Sequence, residues 1–345
     1  MAFRLRITGA AIGALIAGCA GLGVAQAEDS NVTLRLSHNL PTNNALHYGV
    51  MEPWAKAVSE ASGDTIKIDI YPAQQLGAAK DHYNMARDGI VDVAFYLVGI
   101  EPGRFPIVSG AEIPFLVSDN DKGSRALYEW YSSYMDAEMS DVKVCAMFYD
   151  GGGSIHSRKK VEAPEDLQGL KIRSPNKMAA ELYRLAGGAP IQMSANDAAE
   201  AVERGVVDAV SFPWKLTTSL GTDRALKYHM DVKLYSLATA LLINKSSYDA
   251  LSDKQKAAID QNCGADASER MPKAWTEYED EGREILKNKE GHEIVSLSPE
   301  QLDLWKAMSA QVRAAWEKEV GATGSDGAKI FGELKAKLDS YNASY

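Results

Sequence analysis

Cysteine is scarce in this chain, with three among 345 residues. Cys145 lies in an apolar segment that predicts a strand, and Cys263 lies in a segment that predicts a helix. Two cysteines so far apart do not make the framework of a small disulfide-rich domain. We expect both to be buried thiols, and a single bridge between them is the alternative.

Long apolar runs are absent after the first residues of the chain. Arg4 and Arg6 precede an apolar, small-residue stretch that ends in Ala25-Gln26-Ala27, a small-x-small cleavage site. This pattern is typical of a secretory signal, which we assign to residues 1–27. The stretch is too short and too rich in glycine to predict a membrane span. We therefore expect an exported protein that works in the periplasm.

A second interpretation of the same segment involves the remaining cysteine. Ile16-Ala17-Gly18-Cys19 resembles a lipoprotein cleavage box. Lipidation of Cys19 is therefore the minor alternative, and it would tether the product to a membrane.

An excess of positive charge is also missing. The chain has 37 basic and 47 acidic residues, a net charge of −10. Removal of the predicted signal takes away two arginines and no acid, which leaves 35 basic and 47 acidic residues and a net charge of −12. This charge argues against nucleic acid or an anionic membrane surface as a partner. An anion site would have to be local, built from a few donors.

Familiar catalytic motifs are absent as well. The sequence contains no G-x-S-x-G elbow, no P-loop and no H-E-x-x-H, and its six histidines show no metal-ligand spacing. We therefore predict no catalytic residue, no metal and no cofactor. His38 follows the first strand and could act as a base in an exported enzyme, but a residue there more often lines or caps a pocket.

A glycine-rich segment follows a predicted strand at Gly151-Gly152-Gly153-Ser154. A phosphate cradle would need a helix next, but the chain continues as strand-like residues. We interpret the glycines as a close-approach loop or hinge, with Asp150 and Gly151 as candidates for contact with a ligand.

What the sequence does contain is a regular alternation of strand and helix patterns. The chain after residue 27 is too long for one core, so we expect two lobes. The first lobe reads β-α-β-α-β, which indicates a mainly parallel sheet. Its predicted strands are Val32–Ser37, residues 65–71 and residues 90–95, and its predicted helices are residues 45–61 and 76–87.

A weak internal sequence repeat predicts that the second lobe contains the same unit. Residues 86–95 and 202–212 both read as a helix end, a glycine and a buried strand with one early aspartate. These aspartates, Asp92 and Asp208, lie at the start of their strands, so we expect structural roles for them.

The predicted fold is α/β, a two-lobed periplasmic-binding-protein-like architecture with mixed, mainly parallel sheets. We place lobe 1 at residues 28–150 and lobe 2 at residues 151–240. Residues 241–345 would supply a crossover strand and long helices that brace both lobes, with a final helix from Pro299 capped by Ser298.

Arg173 is the strongest candidate for a ligand contact. A turn at Gly169 leads into a short apolar strand that places Arg173 at its carboxyl end. Ligands of open α/β sheets lie at the carboxyl ends of strands, and a guanidinium is a planar fork that matches a carboxylate. On spacing alone, an arginine in a surface salt bridge is the favoured interpretation, and the rest of the chain reverses that preference.

Several segments, in this order and spacing, resemble the DctP-type solute receptors of tripartite ATP-independent periplasmic (TRAP) transporters. They are Y-P-A-Q-Q-L-G (71–77), G-I-V-D-V-A (89–94), P-G-R-F-P (102–106), E-I-P-F-L (112–116), D-L-Q-G-L-K-I-R-S-P (166–175) and G-V-V-D-A (205–209). The resemblance implies two lobes that close by a hinge around a small organic acid. It also implies delivery to a permease of two integral membrane subunits, and it places Arg173 at the family's carboxylate-clamping arginine.

The sequence departs from the sialic acid branch of that family, at Gly152-Gly153 and at Ser211-Phe212-Pro213-Trp214. Sialic acid is therefore not the expected ligand. We expect Phe212 and Trp214 at the end of the second lobe's strand, and Phe95 and Tyr96 at the matching place in the first lobe, to face the ligand, with an ordinary core position as the alternative. These aromatic residues favour a monocarboxylate with a bulky, aromatic or otherwise apolar body. A periplasmic sensor that feeds a signalling partner is the alternative, and an exported enzyme is a more remote one. The candidate ligand-binding residues are Arg173, Phe212, Trp214, Tyr96, Phe95, His38, Asn39, Asp150 and Gly151.

Overall fold

The computed structural model describes residues 30–345, so the predicted signal segment and Cys19 lie outside the described residues. The strands of this part are β1 (Val32–Ser37), β2 (Ile66–Tyr71), β3 (Val93–Leu97), β4 (Val142–Tyr149), β5 (Ser154–Ser157), β6 (Lys171–Ser174), β7 (Ala189–Gln192), β8 (Ala209–Phe212), β9 (Tyr228–Met230), β10 (Ala238–Asn244) and β11 (Glu293–Val295).

Helices surround these strands. They are α1 (Glu52–Ser62), α2 (His82–Arg87), α3 (Asn120–Tyr131), α4 (Met135–Glu138), α5 (Lys177–Leu185), α6 (Ala195–Glu203), α7 (Trp214–Ser219), α8 (Lys245–Asp249), α9 (Asp253–Asp260), α10 (Ala265–Arg270), α11 (Lys273–Lys287), α12 (Pro299–Ala322) and α13 (Gly327–Ser340). A π-helical segment, Leu46–Met51, precedes α1, and a 3₁₀ turn, Ala79–Asp81, precedes α2. The two helices predicted at residues 45–61 and 76–87 are therefore regular α-helix only in their second parts.

The first lobe is built on a five-stranded sheet in the order β2-β1-β3-β10-β4. Strand β1 pairs in parallel with β2 and β3, and β10 pairs antiparallel with β3 and β4. The central strands β3 and β10 are almost entirely buried, as is usual for strands covered on both faces.

The second lobe is built on a six-stranded sheet in the order β11-β9-β5-β8-β6-β7. Strand β6 pairs in parallel with β7 and β8, whereas β5 pairs antiparallel with β8 and β9. Both sheets are mixed, so the predicted fold class is confirmed. The chain crosses from the first sheet to the second after β4, returns at β10 and crosses again to β11.

The predicted internal repeat is present in the topology. The unit β1-α1-β2-α2-β3 has the strand order β2-β1-β3, and the unit β6-α5-β7-α6-β8 has the equivalent order β7-β6-β8. In each unit a glycine with positive φ follows the second helix, Gly89 at 71° and Gly205 at 69°, a conformation that costs glycine little.

The two aspartates of the repeat also have equivalent partners. A carboxylate oxygen of Asp92 accepts a hydrogen bond from the backbone N–H of Arg35 at 2.8 Å, and one of Asp208 accepts from that of Lys171 at 3.0 Å. Each aspartate therefore holds the neighbouring parallel strand in register, which is a structural role.

Helix α12 braces the two lobes. Its N-cap, Ser298, forms a capping box. The indole of Trp305 donates to the carbonyl of Glu162 in the second lobe at 3.0 Å, and the indole of Trp316 donates to the carbonyl of Pro106 in the first lobe at 2.7 Å. A second helix, α13, follows it and was not predicted. No helix within residues 30–345 has the length and apolar composition required to cross a membrane.

The expectation of two free thiols is wrong, because Cys145 and Cys263 form a disulfide bond across 118 positions of sequence. Cys145 lies in β4, and Cys263 follows α9. The turn after α9 docks on this strand, since the backbone N–H of Gly264 donates to the carbonyl of Cys145 at 2.7 Å. The sequence separation gave no sign of this contact, which depends on how α9 and α10 pack against the first lobe.

Candidate ligand-binding site

A cavity lies between the two lobes, at the carboxyl ends of the parallel strands. Both lobes and the segments that join them contribute to its wall. The residues used below are Asn39, Phe95, Gly99, Ile100 and Glu112 from the first lobe, Arg173, Asn176, Met193 and Pro213 from the second, and Asp150, Tyr235 and Trp275 from the joining segments and α11.

Arg173 lies at the end of β6 with its side chain pointing into this cavity, and only 6% of the residue is exposed. Its Nε donates to the carbonyl of Met193 at 3.1 Å, and its Nη1 donates to the carbonyl of Ser211 at 2.7 Å. The guanidinium carbon lies 4.9 Å from the ring centre of Phe212. These contacts fix the guanidinium and leave Nη2 without a hydrogen bond to any of the described residues.

No carboxylate of residues 30–345 forms a salt bridge with Arg173, so the surface salt-bridge interpretation does not fit this structure. Burial lowers the pKa of Arg173, but an arginine remains charged in proteins. A buried cation without an ionised partner is unfavourable. An anion that enters the cavity would relieve this cost.

Two buried carboxyl groups also reach the cavity. Burial raises the pKa of Glu112 to about 8, although one of its oxygens accepts a hydrogen bond from the backbone N–H of Ala238 at 3.1 Å. Burial also raises the pKa of Asp150 well above its usual range, and the nearby Glu112 adds to the shift. Because burial disfavours the charged form of both acids, they compensate the charge of Arg173 poorly.

The cavity contains a further hydrogen-bond donor at Asn176, the N-cap of α5. Its Oδ1 accepts from the backbone N–H of Ala179 at 2.8 Å, which fixes the orientation of the amide. Its Nδ2 is buried and faces the carboxyl group of Glu112, but outside ordinary hydrogen-bonding geometry. Nδ2 and the free N–H groups of Arg173 are thus donors that an anionic ligand could use.

The rest of the wall is largely apolar or aromatic. Phe95 contributes from β3, and Tyr235 and Trp275 contribute from the second crossover and from α11. The hydroxyl of Tyr235 donates to the carbonyl of Ser211 at 3.1 Å, the same oxygen that accepts from Arg173. Tyr235 therefore both lines the cavity and helps to position the arginine.

The structure brings four of the nine sequence-predicted residues together in the cavity wall, namely Asn39, Phe95, Asp150 and Arg173. The other five, His38, Tyr96, Gly151, Phe212 and Trp214, do not line it. For Phe95 and Tyr96 the reason is strand geometry, because they are adjacent in β3 and adjacent residues of a strand point to opposite faces. Phe212 ends β8 and Trp214 begins α7, and neither ring reaches the cavity wall. The expectation that both members of each pair face the ligand therefore does not fit.

The three aromatic residues that do not line the cavity pack against other parts of the protein. Tyr96 lies in the core of the first lobe, where its hydroxyl donates to Glu101 at 3.0 Å. Phe212 lies behind the guanidinium of Arg173 and supports it. Trp214 packs edge-on against His156, with the ring centres 5.2 Å apart.

His38 and Gly151 have local structural roles. His38 is buried, and its Nε2 lies 2.9 Å from Nδ1 of His47 while its Nδ1 accepts from the backbone N–H of Leu40 at 3.3 Å. Burial lowers the pKa of His38 to about 3, so the ring is neutral. At Gly151 an added Cβ would lie 2.2 Å from Nε1 of Trp275, so this glycine provides the close approach predicted for the loop.

Sequence reasoning missed Glu112, Asn176, Tyr235 and Trp275. Asn176 could have been found, because it directly follows the arginine segment and begins a helix. The other three reach the cavity only through tertiary folding, and no local pattern marks them.

A sequence model of the family described as bacterial extracellular solute-binding protein, family 7 (DctP), matches residues 36–319. Among solved structures, the chain is similar to a TRAP solute-binding protein from Rhodoferax ferrireducens T118 in complex with copurified benzoate. That similarity has 26% identity and a TM-score of 0.87, and it covers 90% of this chain and 99% of the other.

Two further structures are similar to the chain. One is a marine metagenome TRAP solute-binding protein specific for aromatic acid ligands, in complex with 3-hydroxybenzoate, with 30% identity and a TM-score of 0.86 over 91% of this chain and 99% of the other. The second is a TRAP periplasmic solute-binding protein from Bordetella bronchiseptica with bound (R)- and (S)-mandelate. It has 26% identity and a TM-score of 0.83 over 90% of this chain and 99% of the other.

Proposed function

The chain belongs to bacterial extracellular solute-binding protein family 7, and we propose that it is the periplasmic receptor of a TRAP transporter for an aromatic monocarboxylate. The resemblance predicted from the sequence segments is confirmed by the family match. The observation that carries the proposal is the buried guanidinium of Arg173, which lies in the interlobe cavity without an ionised partner.

The carboxylate of the ligand binds Arg173. The free N–H groups of Nη1 and Nη2 can donate to two carboxylate oxygens, and Asn176 supplies a further donor in the same wall. Hydrogen bonds to charged groups contribute about 1.5–3 kcal/mol each. Micromolar affinity needs only about 8 kcal/mol in total, so this arginine can decide whether the ligand binds.

The body of the ligand is aromatic. Phe95, Tyr235 and Trp275 present ring surfaces to the cavity, and Met193 and Pro213 add apolar surface. Aromatic rings favour offset-stacked and edge-to-face contacts with other rings. The complexes of the similar proteins with benzoate, 3-hydroxybenzoate and mandelate support this choice.

Binding proceeds by hinge closure. Because only 6% of Arg173 is exposed, the ligand must enter when the lobes are apart. Closure then buries the ligand and presents the closed receptor to a permease of two integral membrane subunits, which takes up the acid. The signal predicted at residues 1–27 would bring the chain to the periplasm for this role, in which the receptor releases its ligand chemically unchanged.

Binding measurements with a panel of acids test this proposal. In a thermal-shift assay, benzoate, its hydroxy derivatives, phenylacetate and mandelate should stabilise the protein, and succinate and sialic acid should not. Binding stabilises the folded state by about 2.7 kcal/mol at one hundred times the Kd. If no aromatic acid shifts the unfolding transition, the proposal fails.

The Arg173→Lys variant tests the role of the arginine. A point charge cannot replace the planar fork, so we expect calorimetry to show a loss of about 2–5 kcal/mol in binding free energy. Arg204→Lys is the matched control, because Arg204 is exposed at the end of α6 and forms a salt bridge with Glu200 of that helix. Equal affinity of Arg173→Lys and the wild type would contradict the assignment.

A further inference from the structure

Asp150 is held rigidly at the edge of the cavity. It directly follows β4, its backbone N–H donates to the carbonyl of Leu237 at 3.1 Å, and its carbonyl accepts from the side chain of Asn120 at 2.6 Å. The residue is 3% exposed, and its side chain lines the cavity. The backbone of Asp150 is therefore fixed, and its side chain lies at the cavity.

This carboxyl group has an unused hydrogen-bonding position. Oδ1 of Asp150 is buried and forms no hydrogen bond with the described residues. Arg173 is the nearby cation, but no hydrogen bond joins its guanidinium to this oxygen, since the described contacts of Arg173 are with backbone carbonyls. An unsatisfied buried polar group of this kind is costly, and the cost is removed if the ligand supplies the missing partner.

Trp275, which also lines the cavity, has a buried N–H group without a hydrogen bond to the described residues. Nε1 of Trp275 is buried and faces Glu279 on the next turn of α11, but outside ordinary hydrogen-bonding geometry. The indole packs against Gly151, the residue that follows Asp150. The ring of Trp275 thus lines the wall beside Asp150, while its N–H group is directed toward Glu279.

We propose that Asp150 selects ligands whose aromatic body carries a hydroxyl group. The proposal rests on the proposed function and names the ligand class within it. A hydroxyl both donates and accepts, so it can pair with the carboxyl group of Asp150.

A ligand hydroxyl can form a hydrogen bond with Asp150 in either protonation state of its carboxyl group. Burial raises the pKa of its carboxyl group, which favours the protonated form. A ligand hydroxyl accepts from the protonated acid and donates to the ionised one, whereas a ring C–H does neither. A site built to bind a hydroxyl discriminates against the analogue that lacks it, because its own polar groups are then left unpaired.

The same wall disfavours a second carboxylate on the ligand. Asp150, Glu112 and Glu279 all have carboxyl groups in this region, and burial penalises any further negative charge. The site therefore fits a hydroxylated monocarboxylate rather than a dicarboxylate.

Calorimetry with matched ligand pairs tests the inference on the wild-type protein. The pairs are benzoate with 2-, 3- and 4-hydroxybenzoate, and phenylacetate with mandelate and 3-hydroxyphenylacetate. We expect at least one hydroxylated acid to bind at least about tenfold more tightly than its parent, which corresponds to one hydrogen bond of ordinary strength. If every hydroxylated acid binds no better than its parent, the inference is wrong, and this result does not depend on any variant.

The Asp150→Ala variant then assigns the preference to this residue. Its ratio of affinities for the preferred hydroxylated acid and its parent should fall to within about twofold, because the partner of the hydroxyl is gone. Asp303→Ala, a change at an exposed aspartate on α12, should keep the wild-type ratio. A folded Asp150→Ala protein that keeps the ratio would overturn the inference. Absence of binding by all aromatic acids, hydroxylated or not, would instead overturn the proposed function and this inference with it.

Discussion

At the scale of single residues, the site depends on how Arg173 is held. Its guanidinium shares the carbonyl of Ser211 with the hydroxyl of Tyr235, and Phe212 supports it from behind. Tyr235 in turn packs against Gly153, where an added Cβ would lie 2.0 Å from the tyrosine ring and its hydroxyl oxygen. A glycine outside the cavity wall therefore sets the position of a residue inside it.

Gly153→Ala tests this dependence. The substitution should displace Tyr235 and lower the affinity for benzoate by at least about tenfold, because a contact under 3 Å forces the ring to move and the arginine loses its support. Isothermal titration calorimetry measures the effect. Gly321→Ala is the control, since no atom lies within 4 Å of its added Cβ and alanine favours the helix. Unchanged affinity of Gly153→Ala would show that Tyr235 does not position Arg173.

The residue scale also shows how far the sequence could predict the site. Arg173, Phe95, Asn39 and Asp150 were identifiable because each follows or ends a predicted strand, and strand ends define ligand sites in α/β folds. The prediction that Tyr96 and Phe212 line the cavity was wrong because the side to which a strand residue points depends on register. Tyr235 and Trp275 come from distant segments, so only the folded chain brings them to the site.

At the scale of elements, a chain of three histidines crosses the second sheet. Nδ1 of His156 on β5 lies 2.8 Å from Nδ1 of His229 on β9, and Nε2 of His229 lies 2.8 Å from Nδ1 of His292 beside β11. Lys227 lies 3.0 Å from Nε2 of His292, and Nε2 of His156 lies 3.1 Å from the carbonyl of Phe212.

The two ends of this chain determine its tautomers. A lysine ammonium only donates and a carbonyl only accepts, so each histidine must accept from one neighbour and donate to the next. All three rings are then neutral. Protonation of any ring would place two donors face to face and break the chain. The sequence showed no metal-ligand spacing for these residues, and their meeting depends on the strand order of the sheet.

Acid should therefore weaken this part of the fold. Burial lowers the pKa of His156 to about 4, and it also lowers the pKa values of His229 and His292. The unfolded chain, with histidine pKa values near 6.5, binds more protons below that pH than the folded one. The stability that these rings contribute is present above about pH 6.5 and is lost as the pH falls, by up to about 1.4 kcal/mol per pH unit for each histidine.

Urea unfolding of the wild type and of His229→Gln between pH 8 and pH 5 measures this effect. Glu112 and Glu279, whose pKa values burial raises to about 8, change stability in the opposite direction over this range, so the difference between the two proteins is the informative quantity. The variant should be less stable at pH 8 and should lose less stability on acidification. If the free energies of unfolding of the two proteins change equally between pH 8 and pH 5, the chain of neutral histidines is ruled out.

At the scale of the whole molecule, the two lobes are in contact across the cavity. Nε2 of Gln192, at the end of β7, donates to the carbonyls of Gly99 and Ile100 in the first lobe at 3.2 and 3.3 Å. Helix α12 joins the lobes on another side through Trp305 and Trp316. The structure is therefore a closed arrangement, in which a ligand could leave only after the lobes separate.

Gln192→Ala should accelerate release of the ligand. Loss of this interlobe contact destabilises the closed arrangement by about 1 kcal/mol, so the dissociation rate constant should rise about fivefold while the association rate constant changes little. Stopped-flow measurement of tryptophan fluorescence can follow the change, since Trp275 lines the cavity. Gln311→Ala, at an exposed position of α12, is the control. An unchanged dissociation rate would mean that this contact does not hold the lobes together.

The arrangement of strands and helices could be predicted from the sequence better than the long-range contacts that hold it together. Two repeated units were predicted from the alternating strand and helix patterns and from the repeated Gly-x-Val-Asp segment. The topology contains both units. The disulfide between Cys145 and Cys263 was only the alternative to two free thiols, and the helix Gly327–Ser340 was missed. The bond depends on long-range packing of the C-terminal helices, which no local pattern encodes.

The most direct test of the account is a crystal structure of the protein in complex with 3-hydroxybenzoate. We predict that the carboxylate lies within hydrogen-bonding distance of Nη1 and Nη2 of Arg173, with the ring between Phe95 and the aromatic residues of the joining segments. A ligand whose carboxylate points away from Arg173, or one bound outside the interlobe cavity, would contradict the account.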